Sequence, residues 1–203
     1  MVQDNQTEHY FTKTPTSRLK ERKIISVLRG KELTFFTGSG VFSIERIDPG
    51  TRLLIEKSRI TEGQSILDLG CGYGAVGVAL AKAIRKLKVL MADINERAVM
   101  LAKKNIKINE VKAKAIQSDI FENIKEKFDV ILLNPPQTAG KKICFRMIEE
   151  SKEHLNKGGS LQLVARHQKG GRSLQAKMEE VFGNVKVIAR GSGYRIYYSE
   201  LLS

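Results

Sequence analysis

The stretch Ser65-Ile-Leu-Asp-Leu-Gly-Cys-Gly-Tyr-Gly-Ala-Val-Gly77 limits what this chain can fold into more than any other. Ile66 and Leu67 are apolar enough for a central β-strand, Asp68 follows them with an acid, and Ala75 to Ile84 has the apolar spacing of a helix. Between strand and helix, Gly70, Gly72 and Gly74 let the backbone approach a ligand where any Cβ would collide. A buried strand that opens through glycines into a helix is a loop for a nucleotide-type cofactor.

Downstream, strands and helices alternate. The pattern predicts strands at 65–69, 87–92, 113–118, 127–133, 160–166, 184–190 and 194–200, with helices at 74–85, 95–108, 140–155 and 171–182. Alternation at these lengths implies an α/β, Rossmann-like fold with a seven-stranded, mostly parallel sheet and helices on both faces. The last two strands are joined by Gly191-Ser192-Gly193, short enough for a hairpin, so one strand should run antiparallel. Upstream, Lys23 to Leu28 and Leu33 to Phe36, linked by Arg29-Gly30-Lys31-Glu32, predict an N-terminal β-hairpin, and Gly50 to Arg59 predicts a helix. The 203 residues, 41% of them hydrophobic, suit one domain: a loose, partly disordered arm over 1–22, a hairpin and cap over 23–52, and a core over 53–203.

The 35 Lys and Arg outnumber the 22 Asp and Glu, a net charge of +13, and this excess points to a polyanionic partner, nucleic acid first. A lysine-rich surface that serves only solubility is the plainer explanation. No apolar run approaches the roughly 20 residues that span a bilayer, and residues 1–20 lack the layout of a secretion signal, so a cytoplasmic protein with no membrane partner is expected. Cys71 and Cys144 form neither a disulfide framework nor a metal cluster, and the three histidines have no metal spacing. No metal is expected; His154 reads as a helix cap, and His167 follows a strand at the functional edge.

Two cofactors compete for the glycine loop. Gly72-Tyr-Gly74-Ala-Val-Gly77 satisfies the dinucleotide pattern, and Asp93 ends the next strand at a suitable distance, which favours NAD. Three features favour S-adenosylmethionine. Asp68 precedes the glycines, where it suits an ammonium group and would repel a pyrophosphate. Asp119, in Gln117-Ser-Asp-Ile120, follows the third strand and can accept from an adenine amine. Asn134-Pro-Pro136 follows the fourth. Four successive strand ends thus deliver Asp68, Asp93, Asp119 and Asn134 to one crevice, with Ile94 and Ile120 as the apolar neighbours of two of the acids. Taken singly, Asp93 could cap a helix, Asp119 could serve a turn and Asn-Pro-Pro could break a strand; together and in this order they are hard to explain that way.

The set Asp68-Leu-Gly-Cys-Gly-Tyr-Gly74, Asp93, Asp119 and Asn134-Pro-Pro136 resembles the class I S-adenosylmethionine-dependent methyltransferases. Gly40-Val-Phe-Ser43, Ile47-Asp-Pro-Gly50, His9-Tyr-Phe11 and Phe182-Gly-Asn184 extend the resemblance to the RsmC-like methyltransferase small domain family, in its short archaeal form. The resemblance implies that Gly70, Cys71, Gly72 and Gly74 cradle the cofactor. It also implies that the Asn134 side-chain oxygen and the Pro135 carbonyl accept from the target amine, with Pro136 completing the motif. The expected substrate is a guanine of tRNA or rRNA, at N2 first and N7 second; a protein glutamine N5 substrate and an NAD(P)-linked oxidoreductase are the alternatives. The pattern departs from the family after Pro136, where Gln137-Thr-Ala-Gly140 stands in place of an aromatic. Phe42, Tyr10, Phe11 or Phe36 would then have to stack on the base, Gln137 could read its edge, and Lys141, Lys142 and Lys169 with Arg172 could meet phosphates or simply face solvent. A monomer or a homodimer fits equally.

Overall fold

The computed structural model describes residues 13–14, 18–136 and 139–202. Most of the expected arm, with Tyr10, Phe11 and Gln137, lies outside these residues.

Seven strands form the main sheet: β3 (Ser65–Leu69), β4 (Lys88–Asp93), β5 (Ala113–Gln117), β6 (Phe128–Leu133), β7 (Leu155–Arg166), β8 (Lys186–Gly191) and β9 (Tyr194–Glu200). Their order is β5-β4-β3-β6-β7-β9-β8, with β9 antiparallel to both of its neighbours and the other ladders parallel. The chain moves outward from β3 to β5, then returns to place β6 on the other side of β3. That reversal opens a crevice at the carboxyl ends of β3 and β6. Helices α1 (Pro49–Lys57), α2 (Ala75–Ala83) and α3 (Glu96–Ile108) cover one face, and α4 (Lys141–Glu153) and α5 (Arg172–Phe182) the other. Covered on both faces, the central strands have to be apolar throughout, and Leu67, Leu69, Ile131, Leu132 and Leu133 are all buried.

A separate hairpin, β1 (Glu21–Leu28) and β2 (Lys31–Gly38), packs beside α3. Its connection is two residues, Arg29 and Gly30, at φ +45° and +71°, where the sequence pattern suggests four. Positive φ at both central positions matches the twist of the flanking strands, so Lys31 and Glu32 continue the ladder. The Arg29 side chain crosses to α1, where it donates to the carbonyls of Ile55 and Ser58 and satisfies the helix's carboxyl end.

The far edge of β2 is completed by two asparagines of α3. Asn105 accepts from the Phe36 amide at 2.7 Å and donates to the Phe36 carbonyl at 2.9 Å, while Asn109 does the same for Thr34 at 3.1 and 2.7 Å. Each carboxamide thereby replaces one residue of a missing neighbouring strand and leaves no edge amide of this pair unsatisfied. Asn105 also donates to the Tyr73 carbonyl at 2.8 Å, which joins the hairpin to the glycine loop.

One boundary differs from the sequence pattern. Helix α4 stops at Glu153 and β7 starts at Leu155, earlier than expected, because Leu155 pairs with Phe128 before the register shifts around Gly158 and Gly159. A Cβ on Gly159 would lie within 3.0 Å of three backbone carbonyl oxygens, so the shift requires glycine there. His154 closes α4 with its two ring nitrogens set against the Glu150 and Ile124 carbonyls, and its ring stacks on Phe121 at 4.1 Å.

Asn105→Ala removes partners from three backbone groups at once, each worth about 1 kcal/mol or more when buried and unpaired. It is expected to destabilise the protein by about 3 kcal/mol in urea unfolding, and Asn109→Ala by about 2 kcal/mol.

Candidate active site

The glycine loop is anchored at its base by the Ala92 carbonyl of β4, which accepts from the amides of Gly70 at 2.8 Å and Cys71 at 3.0 Å. Gly70, Gly72 and Gly74 all have positive φ, at +69°, +56° and +85°. A Cβ on Gly72 would meet no atom within 4 Å, so it would project into open space at the crevice. Gly77 serves packing instead, because a Cβ there would come within 2.5 Å of the Met91 sulfur; its absence lets α2 lie against β4.

Two carboxylates hold the loop in shape. Asp68 is 3% exposed and accepts from the Gly77 amide at 3.0 Å. It therefore caps α2 from the preceding strand, since the residue at the usual capping position is Gly74. Asp93 accepts from the Gly72 amide at 2.8 Å and from the Asn95 amide at 2.9 Å. Asn95 itself caps α3 by accepting from the amides of Arg97 and Ala98, so capping of that helix belongs to Asn95 while Asp93 bridges the two loops. Burial pushes Asp68 up to about 7, with the Gly77 bond opposing it and the charge of Asp93 adding to it. Burial likewise pushes Asp93 up to about 6 against the amide bonds from Asn95, Gly72 and Ile94. The neighbouring Cys71 thiol is pushed well up by burial and by both acids, so it serves as a small packed side chain.

On the far side of the crevice, Asn134 donates its side-chain nitrogen to the Thr51 hydroxyl at 3.0 Å. The amide oxygen is what remains for a ligand. Thr51 is placed by a short relay: Asp48 accepts from the amides of Gly50 and Thr51, capping α1, and Tyr194 of β9 donates to Asp48 at 3.2 Å. Gly50 is required because a Cβ there would lie 2.5 Å from the Tyr194 ring. The sequence Ile47-Asp-Pro-Gly50 is thus a helix start shaped to fit one tyrosine.

The resulting cleft, about 270 Å³, is lined by all the expected cofactor residues except Gly74, and by Asn134, Pro135, Pro136 and Phe42. Phe42, 40% exposed, stands on a loop fixed from α3, where Asn95 donates to the Gly40 carbonyl and Arg97 to the Ser39 carbonyl, each at 2.8 Å. Gly74 sits behind the wall, capping α2. Lys141, Lys142 and Lys169 are exposed and do not line the cleft, and Tyr10 and Gln137 fall outside the described residues. Thr51 and three residues of α4, namely Ile143, Arg146 and Met147, also line the cleft without having been singled out in the sequence. Arg146 lies 3.4 Å from Asp119 and also pairs with Glu150, so Asp119 faces the cleft with a cation at its back. The spacing Ile143, Arg146, Met147 is one helical face, a signal that becomes readable once α4 is seen to start beside the cleft.

Residues 32–198 match the family model described as the methyltransferase small domain. The chain belongs to the methyltransferase small domain family. By class it is an S-adenosylmethionine-dependent methyltransferase. It is 40% identical over 194 residues to the uncharacterized protein YbxB of Bacillus subtilis, covering 94% of this chain and 96% of that one, so the short form of the family occurs in a bacterium. It is 33% identical over 183 residues to ribosomal RNA small subunit methyltransferase C of Actinobacillus pleuropneumoniae, covering 87% of this chain and 54% of the relative. Among solved structures, the Thermus thermophilus 16S rRNA N2 G1207 methyltransferase RsmC, in complex with AdoMet and guanosine, superposes with a TM-score of 0.79 at 28% identity. That match covers 92% of this chain and 52% of the other, so this chain spans about half the length of its RsmC relatives. Among the described residues no helix is long and apolar enough to cross a membrane.

The raised acids give the ligand-free protein a distinctive pH dependence. A carboxyl whose folded pKa lies above its unfolded value binds more protons when folded, so its contribution is complete below about pH 4 and is lost as pH rises through about 6 to 7. Asp68→Asn is expected to flatten the fall in melting temperature between about pH 4 and 7. The cofactor's amino group is a cation that favours the ionised acids, so S-adenosylmethionine should bind wild type more tightly at about pH 8 than at about pH 5.5 by calorimetry.

Proposed function

We propose that this chain methylates the exocyclic N2 of a guanine in RNA, with ribosomal RNA ahead of transfer RNA and guanine N7 as the second target. The observation that carries the reading is the Asn134 side chain, whose nitrogen donates to Thr51 and so leaves its oxygen for a ligand at the cleft that Pro135 also lines. That oxygen and the Pro135 carbonyl together would suit an amino group with two hydrogens to donate. The excess of basic residues and the family relatives named for ribosomal RNA support an RNA substrate.

The residues present fit the cofactor. The glycine backbone leaves room where a side chain would intrude, the apolar walls include Ile94, Ile120 and Met147, and Asp68 and Asp93 supply the negative charge that an ammonium needs. In this reading Gly70, Cys71 and Gly72 cradle the amino-acid end, with Gly74 shaping the turn behind them. Asp93 keeps acceptor capacity for ribose hydroxyls, because a carboxylate offers about four lone-pair sites. Asp119 accepts from the adenine amine. When bound, S-adenosylmethionine would supply a methyl carbon on a sulfonium: the incoming nitrogen would bond to that carbon in line as the carbon–sulfur bond breaks, the thioether would leave as S-adenosylhomocysteine, and the surplus amine proton would pass to solvent.

The protein's own contribution is positioning. Asn134 and Pro135 draw the amine hydrogens to one side and so turn the nitrogen lone pair toward the cofactor pocket. Proline has no amide hydrogen to compete at this point, and neither has Pro136 after it. Thr51 accepts from the Asn134 nitrogen, which leaves the oxygen for the incoming amine. Phe42 supplies a ring for the base in place of the missing aromatic after Pro136, with Tyr10 and Gln137 as further base contacts and Lys141, Lys142 and Lys169 on flanking phosphates. The hairpin and cap act with the core as a single methyltransferase domain.

Asn134→Ala is expected to lower kcat roughly 100-fold or more with S-adenosylhomocysteine affinity unchanged, whereas Thr51→Val should lower kcat about 10-fold through the freed amide. Phe42→Ala should raise KM for RNA and spare cofactor affinity. Incubation with methyl-labelled S-adenosylmethionine and unmodified ribosomal subunits, followed by nucleoside mass spectrometry, tests the substrate: N2-methylguanosine is expected, and label confined to protein would overturn the reading.

A further inference from the structure

At the end of the sheet that carries Asn134, three arginines gather on the face covered by α5. Arg190 and Arg195 are direct partners across the β8–β9 ladder, and Arg195 is also opposite Ala165 of β7. Residues paired in this way share one face of the sheet, and like charges directly opposite destabilise it. Arg172 enters the same region from the start of α5, and its Nε donates to His167 Nε2 at 3.3 Å. Arg166, whose ladder partner is Tyr194, belongs to the opposite face, with its guanidinium 5.1 Å over the Tyr194 ring. None of the ion pairs among the described residues includes any of the three.

The surroundings hold this cluster together rather than dispersing it. The turn His167–Gly171 is tied to the β8–β9 turn by the His167 amide, which donates to the Gly193 carbonyl at 3.1 Å. Gly171 admits no side chain: a Cβ would lie 2.7 Å from the Arg166 carbonyl and 2.9 Å from the Tyr197 hydroxyl. His167 Nδ1 lies 2.8 Å from that same hydroxyl. Since Nε2 accepts from Arg172, the ring is neutral with its hydrogen on Nδ1. Its pKa is lowered by partial burial and then by the positive charges of Arg195, Arg172 and Arg190, which places all three around it. A neutral histidine in this position links the loops without adding a fourth positive charge and without neutralising the other three.

We infer that Arg172, Arg190 and Arg195 form a preorganised surface for the phosphates of the RNA strand flanking the base held at Asn134. The inference rests on the RNA reading above and adds to it the docking surface. Position supports it. β7, β9 and β8 follow β6 in the sheet, and neighbouring strands lie about 4.8 Å apart, so the strands carrying Arg195 and Arg190 lie roughly 10 and roughly 15 Å from the strand that delivers Asn134. Arginine suits the role, since its planar fork binds phosphate oxygens in pairs and it is less strongly hydrated than lysine. The repulsion between Arg190 and Arg195 is relieved only when an anion arrives, which separates this surface from lysines scattered over the rest of the chain.

The test compares Arg190→Gln/Arg195→Gln with Lys112→Gln/Lys114→Gln, a charge-matched change of exposed lysines at the opposite edge of the sheet. Binding of a fluorescent single-stranded RNA of about 20 nucleotides is followed from about 50 to 200 mM KCl, together with S-adenosylhomocysteine affinity, melting temperature and methylation of unmodified ribosomal subunits. The arginine pair is expected to weaken RNA binding by about 10-fold or more at about 100 mM KCl. It should also make the salt slope shallower by about 1.4, at about 0.7 for each phosphate no longer neutralised. Cofactor affinity should be unchanged and the melting temperature equal or higher, because a repulsion has been removed; the lysine pair should change RNA affinity by less than about 2-fold. Equal weakening by both pairs, or none by the arginine pair while wild type still methylates RNA, would overturn the surface and leave the RNA reading intact. Wild type that ignores RNA but binds a polyglutamate peptide through the same arginines would overturn both.

Discussion

Everything at the site depends on two carboxylates that accept amides of the glycine loop from opposite sides, Asp68 from Gly77 and Asp93 from Gly72. The loop could not hold three positive-φ glycines in an open turn without such ties, because glycine loses more freedom on ordering than any other residue. Forming the ties places two acids in a partly dry crevice, and their raised pKa values record the unfavourable part of that arrangement. The same interaction settles the cofactor question on physical grounds. A dinucleotide pyrophosphate would need the free amides at the start of α2 and a positive environment. Here the amide of Gly77 is already taken by Asp68, and the local charge is negative. A ligand bearing an ammonium and a sulfonium relieves the crevice, whereas a pyrophosphate would aggravate it.

On the opposite wall, the placement of Asn134 depends on the last strand of the sheet. Tyr194 at the start of β9 holds Asp48, Asp48 starts α1, and α1 carries the Thr51 hydroxyl that accepts from Asn134. Strand β9 reaches this position because it runs back between β7 and β8 instead of adding to the edge. The antiparallel ending therefore brings an amino-terminal strand end to the same side of the sheet as the carboxyl ends of β3 to β7. That reversal also brings Arg190 and Arg195 to the same end of the sheet as the cleft.

The alternation of apolar strands and amphipathic helices makes the sheet and both helical layers legible in the sequence, because a strand buried on both faces has no polar positions to disguise it. Asp68, Asp93, Asp119 and Asn134 are legible for a related reason: polar residues at the ends of apolar runs are conspicuous, and topology sends successive strand ends to one crevice. Pairings between distant segments are not legible in this way. Thr51 looks like any helical threonine until Asn134 is placed 83 residues away in sequence. Asn105 and Asn109 look like ordinary polar positions in α3, and only the presence of β2 alongside makes them strand substitutes. Arg146 of α4 faces the cleft only because α4 begins where the Asn-Pro-Pro segment ends. The two-residue turn at Arg29-Gly30 escapes a reading of the sequence because an arginine at positive φ is uncommon, and it is accepted here because the side chain caps α1.

These long-range ties also decide how the cleft meets its substrate. Asn105 joins β2 to the glycine loop through Phe36 and Tyr73, and the loop bearing Phe42 is fastened to α3 by Asn95 and Arg97. Helix α3 begins at Asn95, whose own amide donates to Asp93 of the cofactor site. Hairpin, Phe42 loop, α3 and glycine loop are therefore connected through buried polar bonds, each of which is expensive to leave unmade. The cap cannot swing away from the core without opening several of them together, which excludes a freely hinged lid. Phe42 stands at a fixed height above the cleft, and on the other side Thr51 fixes Asn134. On the RNA reading proposed above, the base would have to leave its own stack and enter between surfaces already in place, so the energy for extrusion would come from contacts to the rest of the strand.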